Sequence, residues 1–513
     1  MELFGTVADK QQLAITDLTG QRSWHQLEVN ILELVDFLQQ DMNLKPGDHI
    51  ALQMSNRVEF IEAMLAGIAA GLWVTPINTH LSQQECGYVL ENCQAKLLLH
   101  DNDNSLLIPY IDERGLGCVA HEIELIVANT AGREDRKLNP LPDDSPAGGT
   151  MLYTSGTTGR PKGVMRHKPA GLIDALEKMR AGGAMFGLKG RGPHLVTGPL
   201  YHAAPMLFAL YDLLNGAPMI IMPRWDSELF LALVADYQVV TTHLVPTMMV
   251  RLLRHQQAHQ QTTDLSSLQL VLHGAAPIAK STKIEMLDWW GDILVEYWGG
   301  SEAGITTLVT AEEWRRYPGT VGKPLPHFEV FVGDESGRPT GEKEGILYCR
   351  HRDLKEVFSY FNDPEKTRQA HPREHVFCIG DMGYLNHDGY VFLSDRVSNM
   401  IISGGVNIYP AEIEQVLMEH PSVVDCAVLG MPNEEWGEEV WAVVQPASGG
   451  DTKPTVTENQ LIRFLRERIA RYKVPRKIIL VERLPRMPTG KIALRDLKQQ
   501  LKHTCQPEIQ PEI

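Results

Sequence analysis

The sequence predicts an α/β protein built from more than one domain, and three observations carry that reading. The chain has 513 residues, too many for one ordinary hydrophobic core. Short apolar, strand-like runs alternate with segments of helical periodicity through most of its length. Near residue 341 this rhythm gives way to brief strands and turns, and then to a second, smaller tract of helices and strands.

The first strand with a clear boundary is HIALQMS, after the turn Gly47-Asp48. VEFIEAMLAGIAAGL has helical periodicity, VTPIN reads as the next strand, and ECGYVLENCQ is a helix leading into the strand AKLLLH. The stretch from Ala63 to Pro76 is the most apolar early segment. It is too short to span a bilayer and ends at proline, so a buried helix running into a strand is expected. HLVTGPL, PMIIMP, VVTTHLVP and LQLVLHG continue as strands, with MMVRLLRHQQ helical between them. From Gly341 to Ser394, EGILYCR and YVFL are strands separated by Gly, Asp, Asn and Pro. Beyond them PAEIEQVLMEH is an amphipathic helix opened by Pro410, VVDCAVLGM and EEVWAVVQP are strands, and ENQLIRFLRERIARY is another amphipathic helix.

Composition narrows the partners. A net charge of −16 argues against nucleic acid as the main partner. The segment holding Arg471, Lys473, Arg476, Lys477, Arg483, Arg486, Lys491, Arg495 and Lys498 is nevertheless basic, as a surface for anionic cofactors would be. Seven cysteines without a CxxC pair suit reduced thiols in the cytoplasm. Met1 is followed by no basic start and apolar run, so neither a signal peptide nor a transmembrane segment is expected. His255 and His259 stand four apart but lack the glutamate of HExxH, and read as a polar helix surface.

The most informative stretch is YTSGTTGRPKG, residues 153 to 163. Its glycines let backbone N–H groups come close to a ligand, Thr154, Ser155, Thr157 and Thr158 add hydroxyl donors, and Lys162 supplies positive charge. Such a loop suits phosphate. It is not a Walker loop, because Gly156, Gly159 and Lys162 are each three residues apart.

Further motifs follow: HGAAP at 273 to 277, EYWGGSEAG at 296 to 304, GTVGKPLP at 319 to 326 and IGD at 379 to 381. DRVSNMIISGGVNIYPAEIE at 395 to 414 and PRMPTGKI at 485 to 492 complete the series. In identity and order they resemble the motifs of the adenylate-forming enzymes, the superfamily of acyl-CoA synthetases, peptide-synthetase adenylation domains and firefly-type luciferases. The resemblance runs from about residue 10 to about residue 498 and points to bacterial fatty-acid or bulky-acid CoA ligases. It implies a large multi-subdomain N-terminal AMP-binding domain, residues 1–395, of α/β sheets plus a β-rich subdomain. A small mobile α+β C-terminal domain, residues 396–513, would carry the catalytic lysine.

The same resemblance assigns roles. Gly274, Ala275, Ala276, Gly299 and Ser301 belong to the two motifs that enclose the adenine, with Trp298 or Tyr297 as its stacking face. Glu302 holds Mg²⁺, Asp381 binds the ribose hydroxyls, and Arg396 contacts ribose or phosphate. Lys491 matches the lysine that bridges the substrate carboxylate and the α-phosphate. His202, in PLYHAAP, matches a position beside the acyl pocket and is read as a core or gate residue in preference to a general base. Ser403, Gly404 and Gly405 would lie against the pantetheine channel after the small domain rotates. Trp436 and Tyr472, with Lys473 beside them, match positions that sandwich the CoA adenine in some relatives, a core role for both aromatics staying open. Ser398 stands where relatives usually carry Asp or Lys as the hinge, which leaves any charge-based control of rotation in doubt.

The expected reaction has two halves. An ionised carboxylate attacks the α-phosphorus of ATP and expels pyrophosphate, a step that needs charge neutralisation and alignment but no general base. A thiol, CoA, then displaces AMP. Apolar segments such as YHAAPMLFAL and HLVPTMMV, with room left by Gly299 and Gly300, point to a medium, long or ring-containing apolar acid over acetate. Loading of a carrier protein or amino acid, a luciferase-like oxidase and a catalytically dead relative are the rivals. PLYHAAPM has no aspartate to pair with an amino acid's ammonium, and intact Lys491, Glu302 and Asp381 argue against a dead relative. The expected partners are ATP, Mg²⁺, CoA and a small carboxylic acid, in the cytoplasm, with a homo-oligomer left open.

Removing a preorganised cation typically costs about 3 to 4 kcal/mol of transition-state stabilisation, a hundred- to thousandfold in rate. Lys491→Ala should therefore lose acyl-adenylate formation by that factor while still turning a supplied acyl-adenylate and CoA into thioester. Equal loss of both half-reactions would contradict the role given to Lys491.

Overall fold

The computed structural model describes residues 2–102, 107–130, 140–154, 161–259, 263–396, 399–403, 406–433, 436–447, 456–487 and 491–505. Four sheets organise them. A nine-stranded sheet runs in the order Lys323–Pro324, Gly304–Val309, Leu294–Gly300, Leu270–His273, Thr241–Leu244, His194–Val196, Met219–Ile221, Leu13–Thr16 and Gln21–Ser23. A seven-stranded sheet runs Phe358–Tyr360, Lys162–Arg166, Gly149–Thr154, Trp73–Pro76, His49–Gln53, Leu97–His100 and Val119–Glu122. The central strands of both are parallel. Runs such as LLLH and LVLH are nearly continuous apolar strings, as strands covered on both faces must be.

The helices that cover these sheets obey the same logic. Val58–Ala69 is buried almost throughout and runs through a tight turn into Trp73–Pro76, as the apolar stretch from Ala63 to Pro76 requires. Ala203–Leu214 carries Phe208, Leu210, Leu213 and Leu214 into the core. Among the described residues no helix is long and apolar enough to cross a membrane. None of the six cysteines whose side chains are described is in a disulfide.

The β-rich tract is a smaller sheet in the order Phe328–Gly333, Gly345–His351, Asp381–Leu385 and Val391–Arg396, with Val376–Phe377 added to Gly345–His351. It begins before the expected residue 341, because FEVFVG forms its first strand. One strand inside the tract, Phe358–Tyr360, leaves it altogether and pairs with Lys162–Arg166.

The last sheet holds Val406–Ile408, Ile401–Ser403, Gly437–Pro446 and Val423–Asn433, with Lys477–Leu480 parallel to Gly437–Pro446. Pro410–Met418 and Glu458–Arg466 pack on it through Ile413, Leu417, Leu461 and Leu465. The second helix is shorter than ENQLIRFLRERIARY suggests. After Arg466 the chain tightens, Arg468 N–H donating to Leu465 O at 2.9 Å, and Arg471–Lys473 forms a separate 3₁₀ turn.

One charged pair lies inside the nine-stranded layer. Lys283, wholly buried on the helix Lys280–Trp290, donates to the Glu296 carboxylate, and its ammonium lies 4.9 Å from the centre of the Trp314 ring. Burial drives both groups toward neutrality, lowering the lysine and raising the glutamate, and each partner's charge opposes it. Glu296→Gln would leave a buried ammonium without its counter-charge and should cost about 3 to 5 kcal/mol. A thermal melt should show the loss, and Lys283→Met with Glu296→Leu should restore most of it. Unchanged midpoints for the single variant would mean the pair carries no such weight.

Candidate active site

The site forms where the carboxyl ends of strands from two sheets approach each other, the usual place for ligands in open α/β folds. Thr154 ends one strand and Lys162 begins the next, and the two residues pair across an antiparallel ladder. The loop they hold, with Ser155, Gly156, Thr157, Thr158 and Gly159, lies outside the described residues. Lys162 itself forms an ion pair with Asp363, the residue that caps the helix Pro364–Ala370. Its charge is thus already met by a carboxylate that phosphate oxygens would have to displace.

HGAAP follows the strand Leu270–His273. A Cβ on Gly274 would come within 2.7 Å of Tyr297 O and 2.8 Å of the Tyr297 ring, so only glycine fits. Ala275 has φ +67°, a left-handed conformation that costs an alanine about 1 to 2 kcal/mol. Such strain gathers at ligand sites, and Ala275 is exposed while Ala276 is half-buried.

Successive residues of Leu294–Gly300 point to opposite faces. Tyr297 turns inward, its ring edge-on to Phe208 at 5.3 Å and its hydroxyl 2.9 Å from His243 Nε2. Trp298 turns the other way, and its indole N–H donates to Asp381 Oδ2 at 2.7 Å. Asp381 opens its strand directly after Gly380, whose φ of +87° makes the turn, and pairs across the ladder with Arg396. The side chain of Arg396 lies outside the described residues.

The glycines after Trp298 do not both leave room. A Cβ on Gly299 would sit 2.0 Å from Gly304 O, so this glycine serves the close pairing with Gly304–Val309. At Gly300 the space opens onto the Glu302 carboxylate, 3.1 Å away, with Ile379 at 3.6 Å. Of the room expected at the two glycines, Gly300 keeps some, bordered by Glu302 and Ile379, and Gly299 keeps none. Residues Ser301 to Ile305 stay half-buried. Glu302 Oε1 accepts from the Tyr360 hydroxyl at 3.2 Å, and the Lys366 ammonium lies 4.8 Å from the Tyr360 ring centre. Sequence reasoning missed Tyr360 and Asp363, because their place depends on the unexpected pairing of Phe358–Tyr360.

His202 occupies the N-cap position of the helix Ala203–Leu214, and among the described residues no hydrogen-bond partner meets its Nε2. Its basicity falls to about 3, chiefly through burial, then through the positive charge of Lys491 and through His80. The lysine from the C-terminal tract is therefore close enough to act on a residue of the large N-terminal part. Lys491 is exposed, and its carbonyl accepts from Met487 N–H at 2.8 Å; residues 488–490 lie outside the described residues. A second contact between the same two parts runs from Arg254 to Val424 O at 2.7 Å.

Ser403 ends the strand Ile401–Ser403; Gly404, Gly405 and Ser398 fall outside the described residues. Trp436 and Tyr472 are at the surface, 42% and 56% exposed, which removes the core reading for both. Arg476 lies 5.9 Å from the first ring and Lys473 5.6 Å from the second. Part of the basic segment is used structurally, since Lys473 pairs with Glu412 at 2.6 Å and Arg486 grips the Asp425 carboxylate with two donors. His255 and His259 stack on each other at 4.2 Å on the helix Pro246–His259, a helix surface as expected.

The strained Ala275 stands beside the buried Tyr297 and Trp298, and Trp298 holds Asp381 at the start of its strand. The chain belongs to the AMP-binding enzyme family, whose pattern matches residues 6–356, with the AMP-binding enzyme C-terminal domain matching 412–491. It is 31% identical to the long-chain-fatty-acid–CoA ligase FadD13 of Mycobacterium tuberculosis, covering 90% of each chain. It is 32% identical to the feruloyl-CoA synthase of an Amycolatopsis species over 89% of each. Its structure is similar to that of ATP-bound MatB from Rhodopseudomonas palustris, with TM-score 0.84, 28% identity and 98% of each chain covered.

The depressed basicity of His202 has a consequence for stability. In the unfolded chain it titrates near its ordinary 6.5, so between about pH 6.5 and 3 the unfolded state binds a proton that the folded state refuses. Stability should fall as the pH falls through that window. His202→Phe should flatten this part of the thermal midpoint–pH curve; parallel curves for the two proteins would contradict a neutral His202.

Proposed function

We propose that this protein is an ATP-dependent acid–CoA ligase that makes an acyl-adenylate and passes the acyl group to CoA, releasing AMP. What carries the reading is that the positive charge of Lys491, from the C-terminal tract, bears on His202 of the N-terminal part, in a chain that matches the AMP-binding family over both parts. A carboxylate bound there attacks the α-phosphorus of ATP, and the ammonium offsets the negative charge shared between carboxylate and phosphate. His202, held neutral, repels neither the lysine nor the substrate. With a basicity near 3 it is too weak a base to be needed, and the step requires none.

Glu302 fits a magnesium ion. Its carboxylate is half-buried at the cleft and steadied by Tyr360, and one carboxylate with phosphate oxygens is a common way for Mg²⁺ to be held. When bound, the ion would neutralise charge on the phosphates. Asp381, fixed by the Trp298 indole, would accept from the ribose hydroxyls, and Gly274, Ala275 and Ala276 would border the adenine with Tyr297 or Trp298. Thr154, Lys162 and the loop between them would hold the phosphates.

The second half-reaction calls on the C-terminal body, residues 396–513, turning about Ser398. Trp436 and Tyr472 suit the CoA adenine, because an exposed ring with a cation near it gives a stacking face and a charge for phosphate. Ser403, Gly404 and Gly405 would then line the pantetheine channel. The acid is a medium, long or ring-containing one with a largely apolar body, and the reaction takes place in the cytoplasm.

Glu302→Gln exchanges a good magnesium ligand for a poor one of the same shape. Pyrophosphate release should fall at fixed magnesium and recover in part as magnesium is raised. Near-normal release across a full magnesium titration would remove Glu302 from metal binding.

A further inference from the structure

We infer that Asn56 is a positioning residue for the acid: its amide sets the turn Gly198–Leu200, from which Tyr201 and His202 enter the site. The inference rests on the ligase reading above, in which the acid's carboxylate meets Lys491, the cation whose charge bears on His202. Asn56 stands just beyond the carboxyl end of His49–Gln53 in the seven-stranded sheet. Its Nδ2 donates to Gly198 O at 2.9 Å and to Met222 O at 2.9 Å, and its Oδ1 accepts from Leu200 N–H at 2.8 Å. Gly198 and Leu200 follow the strand His194–Val196, and Met222 follows Met219–Ile221, both in the nine-stranded sheet. One primary amide thus ties together the carboxyl ends of three strands from two sheets, the end at which open α/β folds bind ligands. Two donors and one acceptor on so short a side chain are a set that Asp, Ser and Leu cannot supply.

The turn held in this way leads directly into the site. Asn56 grips it on both sides of Pro199, a residue with no N–H of its own to anchor it. His202 N–H donates to Pro199 O at 3.1 Å and Met206 N–H to His202 O at 3.2 Å, so the helix Ala203–Leu214 starts from the turn without a break. Packing closes the turn from the other direction, since a Cβ on Gly198 would sit 2.7 Å from Pro205 Cγ. Tyr201 and His202 leave it with ring centres 4.5 Å apart, and the His80 ring lies 6.3 Å from that of Tyr201. The Tyr201 hydroxyl and His202 Nε2 are both buried, and among the described residues neither has a hydrogen-bond partner. Buried polar atoms are nearly always paired, so two exceptions on consecutive residues point to a ligand-binding surface. Losing the Asn56 amide would let both rings shift. The acid would feel that change, and the adenine, bordered by Gly274, Ala275 and Ala276 in the ligase reading, would not.

The full-length wild type, Asn56→Ala, Gly198→Ala, His202→Ala and the double variant Asn56→Ala with His202→Ala are assayed for pyrophosphate release. The probes are straight-chain acids from hexanoic to hexadecanoic and a set of cinnamic acids. Asn56→Ala should raise KM for the accepted acids about tenfold, as the loss of one hydrogen bond would, and leave KM for ATP within about twofold. Gly198→Ala pushes the same turn from the Pro205 side with the amide intact, and should give the same split between acid and ATP. It keeps the test decisive should Asn56→Ala fail to fold. Because Asn56 acts through the turn that bears His202, the double variant should raise the acid KM by clearly less than the product of the two single effects. An acid KM unchanged in Gly198→Ala, a rise in KM for ATP equal to that for the acid, or a double variant that shows the full product overturns the inference. Each of these leaves the ligase reading intact and makes Asn56 a tie between sheets alone. A wild type that releases pyrophosphate with none of the acids overturns the ligase reading, and the role of Asn56 with it.

Discussion

Three residues of backbone, Phe358–Tyr360, hold the site together. They leave the β-rich tract in which they lie in sequence and pair antiparallel with Lys162–Arg166. That one ladder brings the Tyr360 hydroxyl to Glu302, the Asp363 carboxylate to Lys162 and the Lys366 ammonium over the Tyr360 ring. On the same strand Arg166 reaches back to the Ser301 carbonyl in the nine-stranded sheet. The groups that would meet phosphate and metal are therefore fixed by a junction of three sheets and not by a single loop.

The junction also arranges charge. Lys162 is balanced by Asp363 and Arg486 by Asp425 across elements distant in sequence, and Lys283 by Glu296 on the very next strand. Against these closed pairs, His202 shows the opposite device: an imidazole kept uncharged because burial and a neighbouring cation both disfavour the proton. A neutral ring adds no positive charge of its own to that of Lys491.

The sequence made the local features legible, and the distant ones less so. The parallel strands were readable as apolar strings, and the helix Pro410–Met418 from its opening proline, because one residue's neighbours decide those outcomes. Gly274, Ala275, Asp381 and Glu302 were readable because whole motifs carry them. The roles of Tyr360 and Arg166 were not, since a tyrosine and an arginine in short strands look alike in any sheet, and only the non-local pairing tells which carboxylate or carbonyl they meet. Gly299 misled for a related reason. A glycine can mean open space or a close backbone, and only the partner strand decides. Trp436 and Tyr472 were ambiguous between core and surface until their exposure was seen.

The cation whose charge bears on His202 comes from the C-terminal tract, while Glu302, Asp381 and the strained Ala275 belong to the large N-terminal part. The two parts close separate hydrophobic cores, one around Phe358, Phe377 and Val391, the other around Ala427, Leu429 and Leu484, on which Ile492 beside Lys491 packs. A substitution that loosens one core thus leaves the side chains rooted in the other where they are.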